Sequence, residues 1–235
     1  MPAEIKVLST TAMKTSLDEL APRFERATGH KVTPSYAPSA RIAKMVADGE
    51  QNDVAIVTAQ GIEDLIKQGK VAADSRADIA RSTIGLAVQK GARKPDISSA
   101  EAFKRALLAA NSIAMSNPVG GGQSGAHLAR IFDKLGIAEA LKSKVTYGPG
   151  GPAGLIGFFL VRGEVEIGIQ QIPELMAVTG IDIVGPLPQE IQAVTRFSAG
   201  VSTTAKDAGA AQALVKFLAT GDAAAVMRAK GMETG

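Results

Sequence analysis

The glycine-rich segment at residues 117–125 has the composition of a loop that binds a negatively charged group. It follows a short apolar run, which predicts a buried strand, and it precedes a predicted helix for which Ser124 is a candidate N-cap. The first N–H groups of a helix lack acceptors, and the helix dipole also favours negative charge. The segment therefore predicts an anion or carboxylate site, with Gln123 and Ser124 as candidate contacts.

Two other interpretations of these glycines stay open. Gly120, Gly122 and Gly125 match the G-x-G-x-x-G pattern of dinucleotide sites, and closely spaced glycines are also typical of a tight turn. However, the pattern lies in mid-chain, and the next predicted strand ends in Tyr147 where an Asp or Glu is expected. No Lys follows the last glycine, as a P-loop requires. We therefore favour an anion site over a nucleotide site.

Composition excludes several classes of function. Hydrophobic content of 46% and charged content of 21% are those of an ordinary globular protein. The net charge of +3 is small, and with two Tyr and no Trp the chain lacks the pattern of a nucleic-acid-binding protein. The absence of Cys excludes disulfides and thiol chemistry, and His30 and His127 lack the spacing of a zinc site. We predict no nucleic-acid partner, no metal and no cofactor.

Hydropathy predicts no insertion into a membrane, since no stretch is long and apolar enough to span a bilayer. Residues 1–8 also lack the basic and then apolar pattern of a signal peptide. Two alternatives follow for the location: a signal segment has been removed, or the protein is cytoplasmic.

The first third of the chain predicts a parallel, doubly wound sheet, because strand and helix patterns alternate. Ligands bind at the carboxyl ends of the strands in such sheets, so the loops at residues 9–12, 37–39 and 58–60 are expected to share one edge. Thr10, Thr11 and Ser39 then supply hydroxyl groups to a site. Alternatively, these residues are turn formers and helix caps, with Ser39 as the N-cap of a helix over residues 40–48.

The middle of the chain predicts a second sheet with its own polar edge. A second glycine-rich loop, which contains Gly151 and Ala153, and the Gln170–Gln171 pair each follow a predicted strand. We expect residues 82–197 to form a lobe inserted into a first lobe of residues 1–81 and 198–235. Extended connections near residues 82–88 and 195–201 would act as hinges that let the lobes close over a ligand.

The order of these loops resembles that of the type II periplasmic solute-binding proteins of ABC importers, and most closely their molybdate-binding branch. The resemblance covers nearly the whole chain. It implies an α/β fold of two lobes, each a mainly parallel sheet flanked by helices, with a ligand cleft between them. It also implies a monomer in the periplasm that binds a small anion and serves an ABC permease. The resemblance rests on residues 6–13, 35–43, 53–56, 117–118, 163–169 and 217–225.

In that family, hydroxyl groups and backbone amides hold a tetrahedral oxyanion. Carried over in chain order, the family's contacts fall on Ala12, Ser39, Ser124, Ala153 and Gln171. The family has a serine where Ala12 stands, and the neighbouring threonines are possible substitutes. It has a closing tyrosine where Gln171 stands. These two departures weaken the prediction of molybdate as the ligand, but they leave the predicted anion site unchanged.

A small carboxylate is the alternative ligand. The guanidinium group of Arg41 matches a carboxylate in a two-bond geometry. The amides of Gln123, Gln170 and Gln171 suit carboxylate or hydroxyl groups. These side chains are equally consistent with solvated surface positions.

Three classes of function follow. The first is a binding protein without chemistry, which delivers its anion to an importer. The second is an isomerase of a small tricarboxylate, like the aconitate isomerases that share this fold, for which His127 and Ser39 are the candidate bases. The third, a ligand sensor, would need a partner protein because the chain has no DNA-binding module.

Overall fold

The computed structural model describes residues 2–120 and 122–234, so Gly121 of the predicted glycine loop lies outside the described residues. The strands, in chain order, are β1 (Glu4–Thr10), β2 (Lys31–Ala37), β3 (Val54–Thr58), β4 (Ala77–Gln89), β5 (Ile113–Ser116), β6 (Val145–Gly148), β7 (Ile167–Gln171), β8 (Ile181–Pro186) and β9 (Val194–Val201). The helices are α1 (Lys14–Thr28), α2 (Ser39–Ala47), α3 (Ala59–Lys67), α4 (Ala100–Ala109), α5 (Gln123–Lys134), α6 (Ala138–Leu141), α7 (Ile156–Val161), α8 (Ile172–Met176), α9 (Ala208–Leu218) and α10 (Gly221–Ala229). This mixture of strands and helices confirms the predicted α/β class.

The chain divides into two compact units. Unit 1 consists of Met1–Arg81 and Thr195–Gly235, and unit 2 consists of Ser82–Val194. The chain passes from one unit to the other within β4 and again within β9.

The sheet of unit 1 places β1 between β2 and β3, and all three strands run parallel. β9 joins it as an antiparallel neighbour of β3. Parallel strands need crossover connections, which α1 and α2 provide. α1 packs by a stripe of buried residues with helical spacing, and it ends at Gly29, whose φ of 77° is easily adopted only without a side chain. Pro22 lies inside α1.

The sheet of unit 2 combines parallel and antiparallel pairs. β5 runs parallel to β6 and β7, while β4 runs antiparallel to β7 and β8. α5 packs on this sheet through Leu128 and Phe132, both buried in an apolar core with Met115 and Ile169. The carboxyl ends of β5, β6 and β7 therefore lie on the same edge, where the two glycine-rich loops and the glutamine pair begin.

Candidate functional site

The loops after β1 and β2 lie side by side in unit 1. Thr10, the last residue of β1, pairs in register with Ala37, the last residue of β2. The turn at Thr11–Met13 and the start of α2 at Ser39 thus leave the sheet at the same edge. Neither α1 nor α2 has an acidic residue in its first turn, so no side chain of the helix itself compensates the positive end of its dipole.

Four buried hydroxyl groups at this edge have no hydrogen-bond partner in the described part of the chain. They belong to Thr11, Thr15, Ser16 and Ser39, and we call them the hydroxyl edge. A buried polar group left unpaired costs about 1–3 kcal/mol, so proteins rarely keep several together. Hydroxyl groups donate hydrogen bonds, which makes the oxygen atoms of an anion suitable partners. Thr15 and Ser16 were not predicted, because only the loop after β1 was expected to supply hydroxyl groups and both residues lie in α1.

The prediction that Ser39 caps α2 is wrong. Ser39 is the first residue of the helix and Pro38 takes the N-cap position, since Pro38 is extended and the first helical hydrogen bond runs from Ile42 to its carbonyl. The Ser39 side chain is buried and accepts no bond from the backbone. The third loop follows β3, which runs parallel to β1, and it therefore shares this edge as predicted. Its Thr58 is a helix cap, because α3 begins at Ala59 and the Thr58 hydroxyl accepts from Gly61.

The remaining predicted residues of this edge have different surroundings. Thr10 is buried, and its carbonyl accepts a bond of 3.2 Å from the Ser9 hydroxyl. Ala12 belongs to the apolar core of unit 1 and contributes no polar side-chain atom. Arg41 is exposed on α2 and makes no ion pair within the described residues.

In unit 2, Ser124 lies against the end of β5. Its hydroxyl donates to the Ser116 hydroxyl at 3.3 Å, and both residues are buried. The prediction that Ser124 caps α5 is wrong, since the helix begins at Gln123 and Gly122 takes the N-cap position. Gly125 is required here, because a Cβ atom would stand 2.1 Å from the Ser116 carbonyl oxygen. Close packing of helix on strand thus explains this glycine without any nucleotide.

The glutamine pair at the end of β7 is buried and its carbonyl oxygens are engaged. Gln170 Oε1 accepts from the backbone N–H of Ile156 at 2.8 Å, at the start of α7. Gln171 Oε1 accepts from the hydroxyl of Ser82 at 2.6 Å. Ser82 was not singled out from the sequence, because it lies 89 residues away from its partner.

The other predicted contacts of unit 2 lie at the surface. Gly151 has a φ of 73° and precedes a short turn at Pro152–Gly154, in which Ala153 is exposed. Gln123 is exposed at the start of α5. His127 is partly buried, with Nε2 2.7 Å from the carbonyl oxygen of Ile191. A nitrogen that close to a carbonyl carries the proton, so Nε2 of His127 is a donor and not a base.

Glu174 is a titratable group at this edge that sequence reasoning missed. It lies in the first turn of α8, and its carboxylate accepts a hydrogen bond from the backbone N–H of Gln171. Withdrawal from water raises the pKa of Glu174 to about 8, although the bond from Gln171 opposes that shift. Near neutral pH this carboxyl group therefore holds a proton that an ordinary glutamate would have lost.

The described residues, 2–120 and 122–234, contain no group of three or more His, Asp or Glu side chains placed to hold a metal ion. They also contain no helix with the length and apolar character to cross a bilayer.

Residues 5–233 match the family model described as bacterial extracellular solute-binding protein. Among named relatives, an aconitate isomerase of a Pseudomonas species is 37% identical over 97% of this chain and 87% of its own length. The molybdate-binding protein ModA of Azotobacter vinelandii is 28% identical over 97% of this chain and 89% of its own length. The solved structure of the periplasmic molybdate-binding protein from that organism superposes with a TM-score of 0.82, at 19% identity, over 98% of this chain and 99% of the other.

Proposed function

Because the chain belongs to the family of bacterial extracellular solute-binding proteins, as its loops predicted, we propose that it binds a small anion for delivery to an ABC importer. The hydroxyl edge carries this proposal. Four buried hydroxyl groups without partners need acceptors, and the oxygens of a small anion supply them. In this proposal the protein works as a monomer in the periplasm, and its partners are the anion and a permease.

We propose the following ligand contacts for each unit taken by itself. In unit 1 they are the hydroxyl edge, Thr10 and the N–H groups at the start of α2. In unit 2 they are Ser124 and Gln171, with the exposed Gln123 and the backbone near Gly151 and Ala153 as further donors. Arg41, exposed on α2, adds positive charge that suits a carboxylate or an oxyanion.

A thermal-shift screen tests the proposal. The extensively dialysed protein is heated with molybdate, tungstate, sulfate, phosphate, or one of a set of di- and tricarboxylates. A ligand present at 100 times its Kd adds about 2.7 kcal/mol to the free energy of unfolding. In a chain of this length that raises Tm by roughly 5–10 °C. A flat Tm with all of these anions at 10 mM would contradict the proposal.

A second candidate function is isomerisation of a small tricarboxylate. Its support is Glu174, a carboxyl group with a pKa of about 8 beside Gln171, together with the 37% identity to an aconitate isomerase. Near neutral pH a group with that pKa is mostly protonated, so it can donate a proton to the substrate, and its ionised fraction can take a proton from a carbon acid.

Proton NMR spectra of each aconitate isomer, recorded after incubation with the protein, distinguish the two functions. Turnover that is lost in Glu174→Gln supports the isomerase. Binding in the thermal-shift screen without interconversion supports the carrier.

A further inference from the structure

A pocket in unit 1 is lined by three arginines and lies apart from the hydroxyl edge, none of whose residues lines it. Its volume is about 400 Å³. Its walls are the first residues of β4, the junction of α9 and α10, and Thr234 near the end of the chain. The three arginines are Arg81, Arg196 and Arg228.

The guanidinium groups in this pocket have unused hydrogen-bonding capacity. Arg81 Nε is buried without a hydrogen-bond partner in the described chain, and the nearest carboxylate oxygen, from Glu233, is 3.9 Å away. Arg228 donates to the Thr234 hydroxyl at 2.6 Å. Arg196 is exposed and makes neither a hydrogen bond nor an ion pair within the described residues. Arg196 and Arg228 therefore keep side-chain N–H donors without a protein acceptor in the described chain.

The acidic residue in the lining, Asp78, is already compensated from outside the pocket. Its carboxylate accepts hydrogen bonds from the Ser198 hydroxyl at 2.6 Å and from Arg76 at 3.0 and 3.1 Å. These bonds hold the pKa of Asp78 below its ordinary value. Asp78 also interacts electrostatically with Arg196, and Glu233 pairs with Arg81 at 3.9 Å. Three positive charges therefore stand against two carboxylates, one of which is already bonded to Arg76.

The start of α10 adds a favourable dipole. Gly221, its first residue, lines the pocket, and the Thr220 hydroxyl satisfies only the N–H of Ala223. The other N–H groups of the first turn have no acceptor within the helix. Asp222 in that turn is exposed and does not line the pocket.

We propose that this pocket is a second anion site, which binds a small polyvalent carboxylate or phosphate through the guanidinium groups of Arg81, Arg196 and Arg228. Planar guanidinium groups match the paired oxygens of both anion types, and the volume lies in the range of small-molecule sites. The inference goes beyond the proposed function, because it uses different residues of the same unit.

Titration of the full chain, labelled with ¹⁵N, with citrate or pyrophosphate tests this site. We expect the amide signals of Gly221, Ala224 and Thr234 to move and reach saturation, while sodium chloride of equal ionic strength does not reproduce the effect. The double variant Arg196→Gln/Arg228→Gln should bind at least about tenfold more weakly. Both arginines are exposed, so the fold should survive. Arg93→Gln, a change at an exposed arginine of unit 2, is the matched control and should bind like the wild type.

Three results would overturn the second site. They are signals that never saturate, equal affinity in the double variant, and movement confined to the hydroxyl edge. The last would leave the proposed function standing, so the two ideas fail separately. A preference for citrate or for pyrophosphate would identify the carboxylate or the phosphate class.

Discussion

The Ser82 hydroxyl donates a hydrogen bond of 2.6 Å to Oε1 of Gln171, and both side chains are buried. The two residues lie on β4 and β7, which are antiparallel neighbours. The bond fixes the side-chain amide of Gln171, which is a proposed ligand contact. Its donor lies on β4, which was predicted from the sequence only as a connection between lobes. Ser82 is thus a positioning residue for Gln171.

Ser82→Ala should lower stability and weaken anion binding together. The change removes the Ser82 hydroxyl that donates to the buried oxygen of Gln171, which costs about 1–2 kcal/mol. Tm should fall by about 2–8 °C in a chain of this length. Thermal unfolding and calorimetric titration measure the two effects. Ser143→Ala is the control, since Ser143 is exposed and its hydroxyl makes no hydrogen bond within the described residues. Unchanged affinity in Ser82→Ala would show that this hydrogen bond does not contribute to ligand binding.

Ser39→Ala should weaken anion binding without loss of stability in the free protein. The free protein gives this hydroxyl no partner, so its removal costs no protein hydrogen bond. The complex loses a donor to a charged group, worth about 1.5–3 kcal/mol, which is roughly a 10- to 100-fold rise in Kd. Calorimetry with the best ligand of the screen measures the change.

Ser75→Ala provides the opposite control in the same unit. The buried Ser75 hydroxyl donates to the carbonyl of Ala72 at 2.6 Å and accepts from the N–H of Val201 at 2.8 Å. Its loss should lower the free energy of unfolding by about 1–2 kcal/mol while the affinity stays the same. If Ser39→Ala behaves like Ser75→Ala, the hydroxyl of Ser39 is structural and the proposed site is incorrect.

Gly125→Ala should destabilise the protein by at least about 2 kcal/mol in urea unfolding. The new Cβ would stand 2.1 Å from the Ser116 carbonyl oxygen, so helix α5 must move away from β5. Gly120→Ala is the matched control, because its Cβ would meet no atom closer than 3.4 Å. Equal stability of the two variants would show that the start of α5 tolerates displacement.

Glu174→Gln should remove a pH dependence of stability. The folded pKa of about 8 lies above the ordinary value of 4.5, so the folded protein holds this proton more tightly than the unfolded chain. The resulting stability is complete below pH 4.5 and is lost as the pH rises through 8. The Tm of the wild type should therefore fall relative to that of the variant across that range, by at least about 2 °C. A constant difference from pH 5 to pH 9 would contradict the raised pKa.

Much of the fold could be predicted because its signals are local. The helical spacing of Leu17, Leu20 and Phe24 gave α1, and the apolar run at residues 113–115 gave β5. Gly29 ends α1 with a positive φ, and such a helix end depends on neighbouring residues alone. The order of these local elements was also enough to identify the family.

Only the tertiary structure determines whether each polar side chain is hydrogen-bonded, unpaired or exposed. Whether a hydroxyl caps a helix, as at Thr58, or stays unpaired, as at Ser39, depends on where the backbone places the first helical turn. The engagement of His127 by Ile191 joins residues 64 positions apart, and the arginines at 81, 196 and 228 meet only because three distant segments converge. Hydrogen bonding and desolvation act over a few ångströms in space, whereas a sequence pattern records only distance along the chain.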